Sequence, residues 1–257
     1  MPLNPSVCVH RGEMWCVVRT VNYTVKGRDY VPLDPHDALR TENYLGRLYS
    51  DGKFVGPTLM RDLSAAPRSY ADVRLVSIGG ILTASASIGG PNNTRRIARL
   101  HLDASGNVER ADIQPSNQIY EKNWMPLSVN GEFKWIYSID PTAILPGPLR
   151  ECPFALDHLR GGAAIAFESG YLCVTHEVTE VEAGLIYLHR FVRLDNRFNV
   201  TAVSPTWVFA HHGIEFCAGL ALDGSSLVLS YGVEDREAWT TRIDAKELDG
   251  IGWILPP

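Results

Sequence analysis

Five times along this chain a polar start leads into a short apolar run, a turn built on glycine, and a second apolar run ending on a polar or aromatic residue. The first copy runs from Asn4 through Val7-Cys8-Val9 and Gly12 to Trp15-Cys16-Val17-Val18 and Arg19. The second opens on Asp72-Val73-Arg74, turns at Gly79-Gly80 and closes on Ser85. The third opens on Lys122-Asn123-Trp124, turns at Asn130-Gly131 and closes on Tyr137. The fourth runs from Arg160-Gly161-Gly162 through Ser169-Gly170 to His176, and the fifth from Glu215-Phe216 through Asp223-Gly224 to Tyr231. Asn-Gly and Asp-Gly between apolar runs favour hairpins, because the tight turns that match strand twist need positive φ. Five hairpins in 257 residues give ~51 residues per unit, close to one four-stranded propeller blade. A sandwich would need denser turn signals, and a parallel α/β fold would need amphipathic helices that the chain lacks. The expectation is an all-β, five-bladed β-propeller forming a single domain over residues 1–257.

A hairpin puts the start of its first strand and the end of its second at the same sheet edge. With each first strand innermost, the five polar starts converge on one mouth of the central channel. Asn4, Asp72, Arg74, Lys122, Asn123, Arg160 and Glu215 form the expected inner ring, with Arg19, Ser85, Tyr137, His176 and Tyr231 around it. Asn22, close after Arg19, joins the residues expected to touch substrate. Trp124 offers an aromatic face for stacking on a sugar ring. Charged residues rarely head core strands unless paired or functional, so the competing reading is that these groups fasten blade to blade, Arg74 above all.

The mixture of charges narrows the chemistry. Cleaving a glycosidic bond needs a carboxyl group to protonate the departing oxygen, and a phosphate nucleophile needs cations to hold it. Lys122, Arg160 and His176, with Arg95 or Arg96 from the Asn92-Asn93-Thr94-Arg95-Arg96 loop, supply such a cradle. The net charge of −5 argues against a nucleic-acid partner. No apolar stretch is long enough for a transmembrane helix, and the start Met1-Pro2-Leu3-Asn4-Pro5 lacks the features of a secretory signal. A cytoplasmic protein without a membrane partner is expected. The odd count of five cysteines without a CxxC pair reads as structural thiols, with Cys173 and Cys217 buried in apolar runs, and His211-His212 as a loop pair rather than a metal site. Trp15, Trp135 and Trp239 read as blade packing.

Tyr70-Ala71-Asp72-Val73-Arg74, Glu121-Lys122-Asn123-Trp124-Met125-Pro126, Leu159-Arg160-Gly161-Gly162, His176-Glu177, Tyr187-Leu188-His189-Arg190-Phe191, Gly213-Ile214-Glu215-Phe216 and Tyr231-Gly232-Val233-Glu234-Asp235-Arg236 occur in this order. Together they resemble the β-mannoside phosphorylase family of glycoside hydrolases, and more closely a bacterial glycosyltransferase-like branch of its propellers. The resemblance implies inverting phosphorolysis of β-mannosides, or glycosyl transfer in reverse. Asp72 is then the proton-exchanging group. Lys122, Arg160 and His176, with Tyr187 and an arginine such as Arg95, form the phosphate site, and Asp235 is a sugar-hydroxyl ligand. It implies no bound cofactor, only inorganic phosphate or a nucleotide sugar as co-substrate. Its partners are an oligosaccharide or sugar phosphate, in a chain that is part of, or associated with, a larger glycosyltransferase. Ala71 and Val73 replace an acidic residue and a proline of the family pattern, which leaves a sugar-binding module without turnover, or a propeller scaffold, as alternatives.

Overall fold

The computed structural model describes residues 1–257 except 27–28, 65–67, 91–93 and 183, and the side chains of residues 25 and 26. Five antiparallel sheets follow one another along the chain. The first contains β1 (Pro2–His10) and β2 (Glu13–Val21), then, beyond an inserted hairpin of β3 (Tyr23–Lys26) and β4 (Asp29–Pro32), β5 (Thr41–Leu48) and β6 (Phe54–Leu59). The second holds β7 (Tyr70–Ile78), β8 (Ile81–Gly89), β9 (Arg95–Leu102) and β10 (Val108–Ile113). The third holds β11 (Met125–Val129), β12 (Glu132–Ser138), β13 (Thr142–Leu145) and β14 (Leu149–Arg150). The fourth holds β15 (Arg160–Phe167), β16 (Gly170–Val181), β17 (Gly184–Leu194) and β18 (Val200–Val203). The fifth has three strands rather than the expected four, β19 (Glu215–Asp223), β20 (Ser226–Val233) and β21 (Glu237–Asp244). After β21 the chain makes a 3-10 turn over Ala245–Gly250 and bridges Val203 through Ile254, so its last segment lies against blade four.

The first strands pack in a ring, β1 to β7 to β11 to β15 to β19 and back to β1. This is the five-bladed propeller. Closure between the last and first blades is tight: Ser230 Oγ donates to the Pro5 carbonyl at 2.6 Å, and a side chain at Gly232 would collide with Asn4. Each blade is sandwiched between two others, so its inner strands are buried on both faces and read as continuous apolar runs rather than as alternation. β19 and β20 are buried along most of their length, whereas the outer strands β6 and β10 are largely exposed. Leu172, Leu227 and Leu229, buried between blades four and five, each contribute on the order of 1.5–3 kcal/mol of hydrophobic stabilisation.

The turns follow the expected chemistry in three copies: Arg11-Gly12, Gly79-Gly80 and Asn130-Gly131 all carry positive φ at both positions. In the fourth copy the turn is Glu168-Ser169, one residue earlier than expected. Gly170 already belongs to β16, where a Cβ would strike the Leu194 carbonyl, so this glycine serves close strand approach rather than the turn. Of the tryptophans expected in blade packing, Trp135 is buried and Trp15 lies under Arg47, but Trp239 is exposed on β21 and donates to Glu237. Cys8, Cys16, Cys173 and Cys217 are buried, and burial raises their thiols, Cys8 and Cys16 to about 12. No helix among the described residues is long and apolar enough to cross a membrane.

Candidate active site at the channel mouth

Near the head of four of the inner strands the ladder slips by one residue: between Leu3 and Ser6, Ala71 and Arg74, Gly161 and Ala163, and Cys217 and Gly219. A bulge of this kind bends the strand and re-aims the extra residue's side chain. Asn4 and Asp72 sit in two of these bulges with φ of 45° and 51°, and Asn123, just before β11, has φ of 65°. Left-handed backbone is costly for residues other than glycine, least so for Asn and Asp. Here it turns three polar side chains toward one mouth.

Asp72 is the hub. Its Oδ1 accepts from Asn4 Nδ2 at 2.9 Å and from Arg19 Nη1 at 3.1 Å, while Arg19 Nη2 donates to Tyr23 Oη at 2.9 Å. Burial would push the Asp72 carboxyl up, but Arg19, the Asn4 hydrogen bond, and the charges of Arg74 and Arg95 together hold it below the ordinary carboxylate range. Asp72 is therefore an ionised acceptor at rest. Asp235 lies on an exposed left-handed pair, Glu234 and Asp235, each with φ of 50°. Partial burial and the Asp72 charge raise its carboxyl despite Arg19. The mouth thus holds two carboxyl groups driven apart in proton affinity, a common arrangement where proton transfer occurs.

Across the mouth stand the cations. Lys122 and Arg160 are exposed, Arg95 is partly buried, and none of the three is within ion-pair distance of a carboxylate among the described residues. Burial, Arg160 and Arg95 lower the Lys122 ammonium, with Asp72 opposing them. Asn92 and Asn93 of the adjoining loop lie outside the described residues. His176 is buried, stacked on Tyr187 with ring centroids 5.2 Å apart, and its Nδ1 has no partner. Burial, then His189, Arg74, Arg160 and Lys122, push it well below its ordinary value. His176 belongs to this wall but is neutral, so the expected third cation is instead an uncharged ring.

Besides Arg19, which is bound to Asp72 and Tyr23, four residues expected to touch substrate have protein partners. Arg74 is buried. Its Nη1 donates to the carbonyls of Gly162 at 2.6 Å and Trp124 at 3.2 Å, its Nη2 approaches Asn123 Oδ1 at 3.4 Å, and its guanidinium faces Phe216. It clamps four blades at the floor of the mouth; burial lowers it to about 10, still protonated at neutral pH. Trp124 is buried edge-on to Trp135 and Tyr137 and donates to Glu121 at 3.0 Å. Glu215 is fully buried and accepts from the amides of Phe209, Ala210 and His211 at 2.7, 2.9 and 3.2 Å. Asn22 holds the loop at 37–40, donating to the Ala38 carbonyl and accepting from the Arg40 amide. In the second ring, Ser85 and Tyr231 are buried; Ser85 accepts from Trp135 and Tyr231 stacks on Phe209.

Two features escaped the sequence reading. The loop at 209–214 reaches the mouth, since the Gly213 carbonyl accepts from Tyr187 N, and His211 sits between Glu215 and Glu234 at 3.6 and 3.4 Å. Tyr120, half exposed beside Arg95 and Lys122, borders the cations. Its place directly before Glu121-Lys122-Asn123 was the available signal. Among the described residues no group of three potential ligands could hold a metal ion.

No family profile matches the sequence, and no curated protein matches it. Solved structures do. A β-1,2-mannobiose phosphorylase from Listeria innocua superposes with a TM-score of 0.61 at 17% identity, covering 97% of this chain and 91% of that one. A GDP-Man-dependent mannosyltransferase from Leishmania mexicana gives 0.58 at 11%, covering 95% and 84%. A GH43_1 enzyme from Xanthomonas citri complexed with xylose gives 0.64 at 13%, covering 99% and 91%. The chain shares their fold. Similarity this distant extends across enzymes of differing chemistry, so function has to be argued from the mouth itself.

Proposed function

We propose that this propeller is a carbohydrate-active enzyme that moves a glycosyl group, of β-mannosyl type, between a sugar oxygen and a phosphate oxygen. The observation that carries the reading is the pairing of an ionised Asp72, held by Arg19 and Asn4, with the unpaired cations Lys122, Arg160 and Arg95 over one mouth. Three cations with no carboxylate partner attract a phosphate-sized anion. In the transfer direction the acceptor hydroxyl oxygen bonds to the anomeric carbon as the bond to the phosphate oxygen breaks, and the hydroxyl proton passes to Asp72. In phosphorolysis the same atoms run backwards, and Asp72 must first be protonated. Its low proton affinity keeps it in the ionised form from which the transfer direction starts. Neutral His176 and Tyr187 wall the cationic side, and Asp235 is within electrostatic reach of Asp72 and Tyr187, suited to a sugar hydroxyl.

The fold of the mannobiose phosphorylase and of the mannosyltransferase supports this reading. A sugar-binding module is the second reading, favoured by Ala71 where the family pattern carries an acidic residue. The test incubates the protein with mannose 1-phosphate or GDP-mannose and a panel of acceptor sugars, and measures phosphate or nucleotide release. Asp72→Asn should then lose about 10²–10⁴-fold in rate while keeping sugar affinity. Saturable glycan binding without release of either product would establish the binding module instead.

A further inference from the structure

Tyr120 is 48% exposed, yet the backbone on either side of it is held. Its strand segment lies beside the head of β9: Arg95 N donates to the Ile119 carbonyl and Glu121 N to the Arg95 carbonyl, both at 3.0 Å. Arg96 Nη1 adds bonds to the carbonyls of Gln118 and Ile119 at 2.7 and 3.1 Å. One residue on, the buried Glu121 is gripped by Ser116 Oγ and by Trp124 Nε1. The backbone that carries the ring is thus fixed at the surface, and the ring has the Arg95 guanidinium 5.3 Å and the Lys122 ammonium 5.9 Å from its centroid, both within cation–π range. Neither cation has a carboxylate within ion-pair distance among the described residues.

Inorganic phosphate would use those cations and gain nothing from the ring. A planar heterocycle stacks on an exposed aromatic face, and arginine beside it adds to the attraction. A ligand that satisfies both parts carries phosphate charge and an aromatic base together. We propose that the cationic subsite extends over Tyr120 to form a site for the nucleoside diphosphate part of a nucleotide sugar. The inference rests on the transfer reading above and names its donor. The crowding of Lys122 by Arg160 and Arg95 is relieved when a multiply charged diphosphate sits among them.

The test measures affinity by calorimetry for inorganic phosphate, inorganic pyrophosphate, GDP and UDP, on the wild-type protein and on Tyr120→Ala and Tyr120→Phe. Pyrophosphate controls for charge. At least one nucleotide should bind about tenfold or more tightly than pyrophosphate, the advantage expected of base stacking. Tyr120→Ala should erase that advantage and leave pyrophosphate binding unchanged, while Tyr120→Phe keeps it. Nucleotides binding no better than pyrophosphate would overturn the nucleotide site and leave the anion subsite standing, as would Tyr120→Ala retaining the preference. If no anion binds at all, the transfer reading falls and the nucleotide site with it.

Discussion

Arg19 and Asp72 meet across the seam between blades one and two, with Nη1 of Arg19 donating to Oδ1 of Asp72 at 3.1 Å. The contact decides the protonation state of the carboxyl group at the centre of the mouth. Burial alone would raise Asp72, and the nearest opposing charge is Arg19. A carboxyl with a depressed folded-state pKa contributes stability that is present above its unfolded value and is lost as pH falls through the folded one. Arg19→Gln should therefore cost more at pH 7 than at pH 3. With Asp72 still partly solvated the neutral-pH cost is about 1–3 kcal/mol. Urea denaturation at the two pH values measures it, and equal costs would show that the pair does not set the charge on Asp72.

Arg74 behaves differently, because its partners are backbone carbonyls. Removing the guanidinium strands the Gly162 and Trp124 carbonyls in a buried channel wall. Arg74→Met should destabilise by about 2–4 kcal/mol, since each orphaned buried acceptor costs about 1–3. Arg74→Lys should recover little, as one ammonium cannot reproduce a planar fork spanning several blades. Thermal denaturation reads both variants, and a wild-type midpoint in Arg74→Met would show that these carbonyl contacts do not hold the blades together.

Arg74 also marks how far the sequence could be read. The turn residues and the polar strand heads are local signals, and they located the five blades and placed Asn4, Asp72, Lys122, Asn123 and Arg160 at one mouth. A polar residue at a strand head points toward the channel whether its partner is a ligand or another blade. Arg74, Trp124 and Glu215 are satisfied by groups that only the folded chain brings near: the Gly162 carbonyl, the Glu121 carboxylate in its buried setting, and the amides of a loop folded back on β19. The protonation of His176 was equally out of reach, because it depends on burial and on cations from three other elements.

Glu215 holds its loop through three amides, and Glu234 holds the next part through the Ile214 amide at 2.9 Å. Glu215→Ala leaves three donors without an acceptor beside a fully buried position. A loss of about 3 kcal/mol or more is expected. Amide exchange should quicken over 209–211 before the blades themselves open, because the damage is local. Exchange that quickens uniformly along β19 and β20 instead would mean that Glu215 supports the whole blade rather than its loop.

His189 gives a pH dependence in a window separate from that of Asp72. The ring is fully buried, stacked on Trp207 at 5.0 Å, and neither nitrogen has a partner of normal hydrogen-bond geometry. Burial lowers it to about 4, against weaker upward pulls from the backbone at Trp207 and Glu215. As pH falls through the ordinary histidine value, the unfolded chain takes up a proton that the folded chain refuses. Stability is therefore full above about pH 6.5 and declines toward pH 4, by roughly 3 kcal/mol for this one residue. His176 is lowered in the same direction and adds to the slope. Urea midpoints between pH 7.5 and 4.5 should fall steadily in the wild type, whereas Phe at this position keeps the aromatic stacking and removes the proton site. His189→Phe should flatten the profile by the share His189 contributes, leaving that of His176. A wild-type midpoint constant across the window would mean that the buried ring accepts its proton in place, with water or a moved backbone group reaching it.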